Sequence, residues 1–492
     1  MPSLAAIAAP ANLLELQYLI RDDVSLLNGA AVSEELLTQI YNAFDPKRPL
    51  EPDSPFYVQC HDVRGQENII REVGRSIIRS DEPTYQLYTG HRGAGKSTEL
   101  KRLRQYLQAQ HLRVVYFEAT NDLDDTDVQY TDILLSCTHH LLEELRDEAN
   151  PRPVVNWLQS RWQELKELAL TEVEFESLSL EAQIAMFAKL TAKLNEKNNR
   201  QKIREQVNSN SNSLIKALND FIAEARQNTQ TNKLVIIADN LDRIGLIPRD
   251  SGKTNHDEIF IEYSSQMRRL DCHVIYTVPI SLVYSNRVTQ LRDNYGDCHV
   301  LPMVMVRRRD GTVTKPGTIH QPGLDKMKEL VQKRVEKFTD KELVPDVFES
   351  AAMLDSLCLI SGGHMRELMQ LVQTALNWTD ELPIQRQAIL RAIAKGREDY
   401  RNAVDEVDWA KLAEVSLTKR VPNDADYREL LFNRCVLEYC LVEETEDDFE
   451  TVRWHDVHPL IQKLEPFVQA VKAREAAAKA QSKAKEGKTD GA

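Results

Sequence analysis

The chain has 492 residues, 42% of them hydrophobic and 28% charged, with a formal net charge of −14. That length implies about two to four domains, and the composition supplies apolar residues enough for a sizeable core. The acidic balance excludes a protein that coats nucleic acid or membrane by bulk electrostatics, although it leaves room for a local basic patch.

No run is apolar enough, for long enough, to span a bilayer. The Ala-rich start, residues 1–10, lacks the basic residues of a secretory leader. Seven scattered cysteines with no CxxC pair read as free thiols in a reducing cytoplasm. The tetrapeptide Asp-Cys-His-Val occurs at 271 and at 297, each time leading into an apolar run, so both copies read as strand entries. Their C-H adjacency does not match zinc-ligand spacing.

In chain order, residues 1–56 read as helices and a Pro-containing linker, Phe44-Asp-Pro-Lys-Arg-Pro-Leu50. Helical spacing follows over 67–78, then a short buried strand, Tyr85-Gln-Leu-Tyr-Thr89, ending in a Gly-rich turn. Residues 97–108 form a helix with Leu100, Leu103 and Leu107 on one face, and 113–119 a second strand. This strand–loop–helix–strand order predicts a parallel α/β sheet. Residues 121–232 hold amphipathic helical runs and no convincing strand, so they read as a helical insertion, either a partner surface or extra cover for the sheet.

The sheet resumes at 234–240, continues at 273–279 and ends at 300–306, with helices expected over 258–270 and 280–292. The domain reading is 57–310 for the α/β unit, 311–405 for a helical lid, 406–472 for a winged-helix-like unit and 473–492 for a disordered tail or frayed helix.

The sharpest motif is Gly90-His-Arg-Gly-Ala-Gly-Lys-Ser97, which satisfies GxxxxGK[ST] between a strand and a helix. Gly90, Gly93 and Gly95 let the backbone curl so that successive N–H groups face phosphate oxygens. The following helix adds its N-terminal partial charge. Arg92, Ala94 and Thr98 complete the loop, Lys96 supplies a cation for the β- and γ-phosphates, and the Ser97 hydroxyl suits Mg²⁺. Downstream, Val235-Ile-Ile-Ala-Asp239-Asn-Leu-Asp242 is an apolar strand ending in acid, which delivers Asp239 to the metal shell. The expected ligands are therefore ATP and Mg²⁺, since no NKxD-type guanine box follows the sheet.

Asn240 stands where many P-loop ATPases carry a glutamate to polarise water, and an amide cannot act as a base. Asp242 is then either a substitute base, an N-cap or a partner for Arg243. Slow hydrolysis is expected.

With these motifs placed, residues 57–400 resemble the AAA+/STAND class of P-loop ATPases, particularly its initiator-type clade related to origin-recognition proteins. The resemblance implies that Asp62-Val-Arg64-Gly65-Gln66 contacts adenine and that Thr277 senses the γ-phosphate. It also implies that Arg366, in Gly362-Gly-His-Met-Arg366, reaches back from the lid, a latch suited to arginine's rigid fork. Arg292, or failing it Arg287, takes the place of an arginine finger acting in trans, which implies a homo-oligomer.

A winged helix invites DNA binding, but its expected wing, residues 443–450, is densely acidic, so protein–protein or intramolecular docking is favoured. Trp454 and Phe449 read as core residues of that unit. The basic run Arg307-Arg-Arg309, or Lys101, Arg102 and Arg104 beside the P-loop helix, is the remaining candidate for nucleic acid. The leading functional reading is a cytoplasmic nucleotide-dependent oligomerising switch with unidentified protein partners, as in signalling or conflict and defence. The alternatives are a DNA-associated initiator or loader, and a non-catalytic ATP-binding scaffold.

Overall fold

A computed structural model describes residues 34–165, 174–228, 232–249, 253–311, 316–423, 425–444 and 449–489. The expectations for residues 1–33, and for 445–448 of the acidic turn at 443–450, lie outside that description.

Five strands form one parallel sheet: β1 (Tyr85–Gly90), β2 (Arg113–Glu118), β3 (Leu234–Asp239), β4 (His273–Thr277) and β5 (His299–Leu301), in the order β2-β3-β4-β1-β5. Every residue of β3 and β4 is buried. Such near-continuous apolar runs are what a sheet covered on both faces requires. β5 is shorter than the 300–306 predicted from apolar content. Beyond Leu301 the chain leaves the sheet: the Met303 N–H donates to the Glu438 carbonyl (2.9 Å) and the Met305 N–H to the Val63 carbonyl (3.0 Å). The apolar residues there serve a contact between units rather than the ladder.

Helix α1 (Lys96–Ala109) opens directly from the loop after β1. It buries Leu100, Leu103 and Leu107 at i, i+3 and i+7, the face its sequence predicts. Between β2 and β3 lie α2 (Tyr130–Leu145), α3 (Arg152–Gln159), α4 (Leu180–Lys193), α5 (Lys197–Ser209) and α6 (Ser211–Gln227). They pack with β2 and β3 in one apolar core. The helix expected over 280–292 is broken: Ile280–Val283 is one short turn of helix, and α7 (Val288–Tyr295) starts afresh.

α8 (Gln321–Glu336), α9 (Ala351–Ile360), α10 (Met365–Leu376) and α11 (Arg386–Ala403) follow. They share a core with α12 (Trp409–Thr418) and α13 (Ala425–Phe432). An antiparallel hairpin of β6 (Val436–Glu444) and β7 (Phe449–Val457) comes next, then α14 (Glu465–Thr489), which continues through the segment read as a tail. Trp454 is buried and stacks on Tyr439 with ring centroids 4.5 Å apart.

The hairpin does not stand apart. The Glu438 N–H donates to His91 Nε2 (3.0 Å), and the Tyr439 hydroxyl donates to the Gly362 carbonyl (2.8 Å). A residue of the Gly-rich loop is thereby tied to β6, more than 340 residues along the chain. All seven cysteines are free, and all but Cys298 are buried.

Candidate functional site

The loop from Gly90 to Lys96 turns through three glycines of positive φ: Gly90 at 147°, Gly93 at 88° and Gly95 at 107°. A side chain at Gly93 is excluded by space as well, because a Cβ there would lie 2.6 Å from Arg366 Cβ and 2.7 Å from His364 Cε1. No side chain caps the first turn of α1. Its N–H groups are left for an anion, as a helix start at the carboxyl edge of a parallel sheet favours. A cavity opens there, lined by Gly93 to Glu99, Glu118, Asn240, Asp242, Arg243, Arg366 and the strap 45–50.

Lys96 is buried, and its ammonium finds three acceptors: the Gly90 carbonyl (2.8 Å), the His91 carbonyl (3.0 Å) and Asp242 Oδ2 (2.8 Å). Asp242 therefore pairs with Lys96, not with Arg243 as its neighbour in sequence suggested. Both partners are only 5% exposed, and Asp242 Oδ1 has no hydrogen-bond partner.

Asp239, fully buried, accepts from the Tyr116 hydroxyl (2.8 Å) and the Asn240 N–H (2.7 Å), and is hydrogen-bonded to Ser97. Burial first, and repulsion from Asp242 second, push its carboxyl above the ordinary range. A buried carboxylate against a serine hydroxyl is a hard-oxygen donor pair that fits Mg²⁺. That ion, when bound, neutralises charge on the phosphate oxygens.

The cavity is rich in arginine. Arg64 donates to the Ala94 carbonyl (2.8 Å). Arg366 donates through Nε to the Pro46 carbonyl (3.1 Å), and its own N–H donates to the Gly93 carbonyl (3.3 Å). Burial, with Arg243 and Arg434 adding repulsion, holds the Arg366 guanidinium below its usual range. Burial also brings Arg334 down to about 10. Among the described residues neither Arg366, Arg243 nor Arg334 is paired with a carboxylate, so the cavity has cations to offer an anion. Its other end carries Pro46, Leu50, Val58, Leu330, Met365 and Met369, an apolar surface suited to a planar base.

Other expected site residues sit differently. Arg92 also lines the cavity, but its guanidinium is engaged by the protein, donating to the Arg243 carbonyl (2.9 Å) and lying 4.1 Å from the Phe432 ring centroid. The Thr98 hydroxyl accepts from the Leu50 N–H (3.1 Å), which fixes the strap to α1. Gly65 packs on Cys440 and is not among the lining residues. Thr277 is fully buried. Its hydroxyl accepts from the Leu241 N–H (2.9 Å), bracing the turn after β3 rather than facing the cavity. Arg292, on α7, is 70% exposed and pairs with Asp297 (2.8 Å), outside this chain's own cavity. Arg287 pairs with Glu262 (3.4 Å).

Sequence reasoning missed the strap 45–50, Tyr57, Arg334 and Glu118, all of which line the cavity. Only for Glu118 was there a local signal, an acid closing an apolar strand as Asp239 does.

A glycine-curled loop, an ammonium and a buried strand-end carboxylate at the carboxyl edge of a parallel sheet are the elements of a P-loop, and the chain has the P-loop NTPase fold. Residues 69–246, from the helix before β1 to the turn after β3, match the KAP family P-loop domain. No curated protein matches the chain in sequence. Among solved structures it is similar to the Aeropyrum pernix ORC1 protein in complex with DNA, at 13% identity, covering 87% of this chain and 97% of that one, with a TM-score of 0.36. It is also similar to Cdc6p of Pyrobaculum aerophilum, at 10% identity, covering 88% and 98%, with a TM-score of 0.37. The Aeropyrum pernix ORC2 protein in ADPNP-ADP complexes gives 10% identity, 88% and 98% coverage and a TM-score of 0.39.

Proposed function

We propose that this protein is an ATP-binding switch in which the triphosphate displaces Asp242 from Lys96. The single observation that carries the reading is the buried Lys96–Asp242 pair. The cation that the motif assigns to phosphate is held by an internal acid, and one ammonium cannot satisfy both. Nucleotide binding is thus coupled to release of the 240–243 turn.

That turn has a route outward. Arg92 holds the Asp242 and Arg243 carbonyls while lying over Phe432 of α13, and its neighbour His91 holds β6. A two-state element that contacts both the ligand and a distant unit is what a switch requires. Arg366, with no carboxylate partner, would trade the Pro46 carbonyl for a phosphate oxygen and draw the strap over the site. The exposed Arg292 is available to a neighbouring copy, which favours a homo-oligomer.

The test is mass in solution, together with amide exchange over 425–442, with ATP, with ADP and without nucleotide. The reading expects an ATP-dependent change in both. An unchanged mass and an unchanged exchange pattern at saturating ATP contradict it.

A further inference from the structure

The residue after Asp239 is an amide, so a hydrolytic base must come from elsewhere. We propose that it is Glu118, the last residue of β2; this rests on the ATP-binding reading above. Glu118 lies in register with Asp239 across the β2–β3 pair, so both carboxylates leave the sheet at the same edge, about 5 Å apart at their Cα atoms. It lines the same cavity as the Gly-rich loop. Its Oε2 accepts a hydrogen bond from Asn240 Nδ2 (3.1 Å).

Asn240 is shaped for that contact. Its φ of 65° is left-handed, a conformation asparagine tolerates better than most residues, and its N–H is fixed to Asp239 Oδ1. The amide that follows β3 orients the acid that ends β2.

The other acids lining the cavity are otherwise engaged. Asp45 accepts from the Lys47 N–H and lies near Arg48. Glu99 is held by the Tyr57 hydroxyl (3.1 Å) and Arg102 (3.2 Å), and Asp242 by Lys96. Among the described residues no cation pairs with Glu118. With one oxygen held by the Asn240 amide, the Glu118 carboxylate has its other oxygen to offer a water.

In the step, the oxygen of a water bonds to the γ-phosphorus while Glu118 takes one of that water's protons. The bond from the γ-phosphorus to the β,γ-bridging oxygen breaks, and its electron pair leaves with ADP. Glu118 returns its proton to solvent as inorganic phosphate departs, so the balance is ATP plus water to ADP plus phosphate.

The test uses full-length Glu118→Gln beside wild type, measuring ATP affinity, thermal midpoint and multiple-turnover phosphate release from pH 5 to 9. Expected are an affinity within about three-fold of wild type, an unchanged midpoint and turnover lower by about 100-fold or more. The assignment is overturned by a variant that turns over at the wild-type rate, by one that loses ATP binding along with turnover, or by a wild type that binds ATP without hydrolysing it. A wild type that binds no ATP at all instead refutes the ATP-binding reading itself.

Discussion

Replacing Asp242 with asparagine separates the two states of the site. In wild type the Lys96 ammonium and the Asp242 carboxylate meet at 2.8 Å with each only 5% exposed. At an effective dielectric of about 20, that separation corresponds to a gross attraction of about 6 kcal/mol, much of it offset by the cost of taking both charges out of water. Removing the acid's charge leaves a buried ammonium with neutral acceptors only, a change that typically costs about 3–5 kcal/mol. The nucleotide-free Asp242→Asn protein should therefore lose about 3 kcal/mol of unfolding free energy.

With ATP bound the phosphates replace the lost acid, and the variant no longer spends binding energy on separating an ion pair. ATP should bind about 10- to 100-fold more tightly, equivalent to about 1.4–2.7 kcal/mol. The Asp239 carboxyl, relieved of one repulsive neighbour, should also ionise more readily. Denaturant unfolding with and without ATP, together with calorimetric titration, measures both effects. An Asp242→Asn protein as stable as wild type without nucleotide, or one that binds ATP more weakly, refutes the reasoning.

Three further outcomes follow from the same geometry. Gly93→Ala should destabilise the fold or the site by several kcal/mol, since its φ of 88° and the crowding by Arg366 and His364 both oppose a Cβ; thermal melts and ATP titration would read it. Arg366→Ala should weaken ATP binding about ten-fold while affecting ADP less, as paired titrations would detect, because a guanidinium with no carboxylate partner is placed for the terminal phosphate.

The third concerns pH. Burial, then the nearby Lys96 charge, pull His91 down to about 3, and its Nε2 accepts the Glu438 N–H. Its neutral form is the folded one, so its stabilising share is complete above the unfolded value near 6.5. That share is lost as pH falls from there toward 3, by about 2 kcal/mol at pH 5. Amide protection at 436–440, after correction for the intrinsic pH dependence of exchange, should fall below pH 6, and His91→Gln should blunt that fall.

The P-loop and its sheet were legible because they are local. Gly90 to Ser97 is one contiguous run between a strand and a helix, and the all-apolar β3 announces both its burial and its terminal acid. Period and punctuation sufficed there. The pairing of Lys96 with Asp242 was not legible, because it depends on how the 240–243 turn folds back across β4 toward β1. Residues 302–306 read as strand because their apolar content answers burial against β6 and Val63, which the sequence pattern cannot distinguish from burial within a sheet. Arg334 and the strap reach the cavity only through tertiary packing. Glu118 went unread because a single acid at a strand end acquires meaning only once β2 is known to lie beside β3.

Direct titration of the full-length protein with ATP and Mg²⁺, wild type against Lys96→Ala, puts the most weight on the fewest assumptions. One ATP per chain should bind to wild type, and the variant's affinity should fall by about 100-fold or more, the loss of a buried cation from a phosphate site. Equal affinity in the two proteins, or no retention of ATP by wild type, would contradict the assignment of the glycine-lined loop as the nucleotide site.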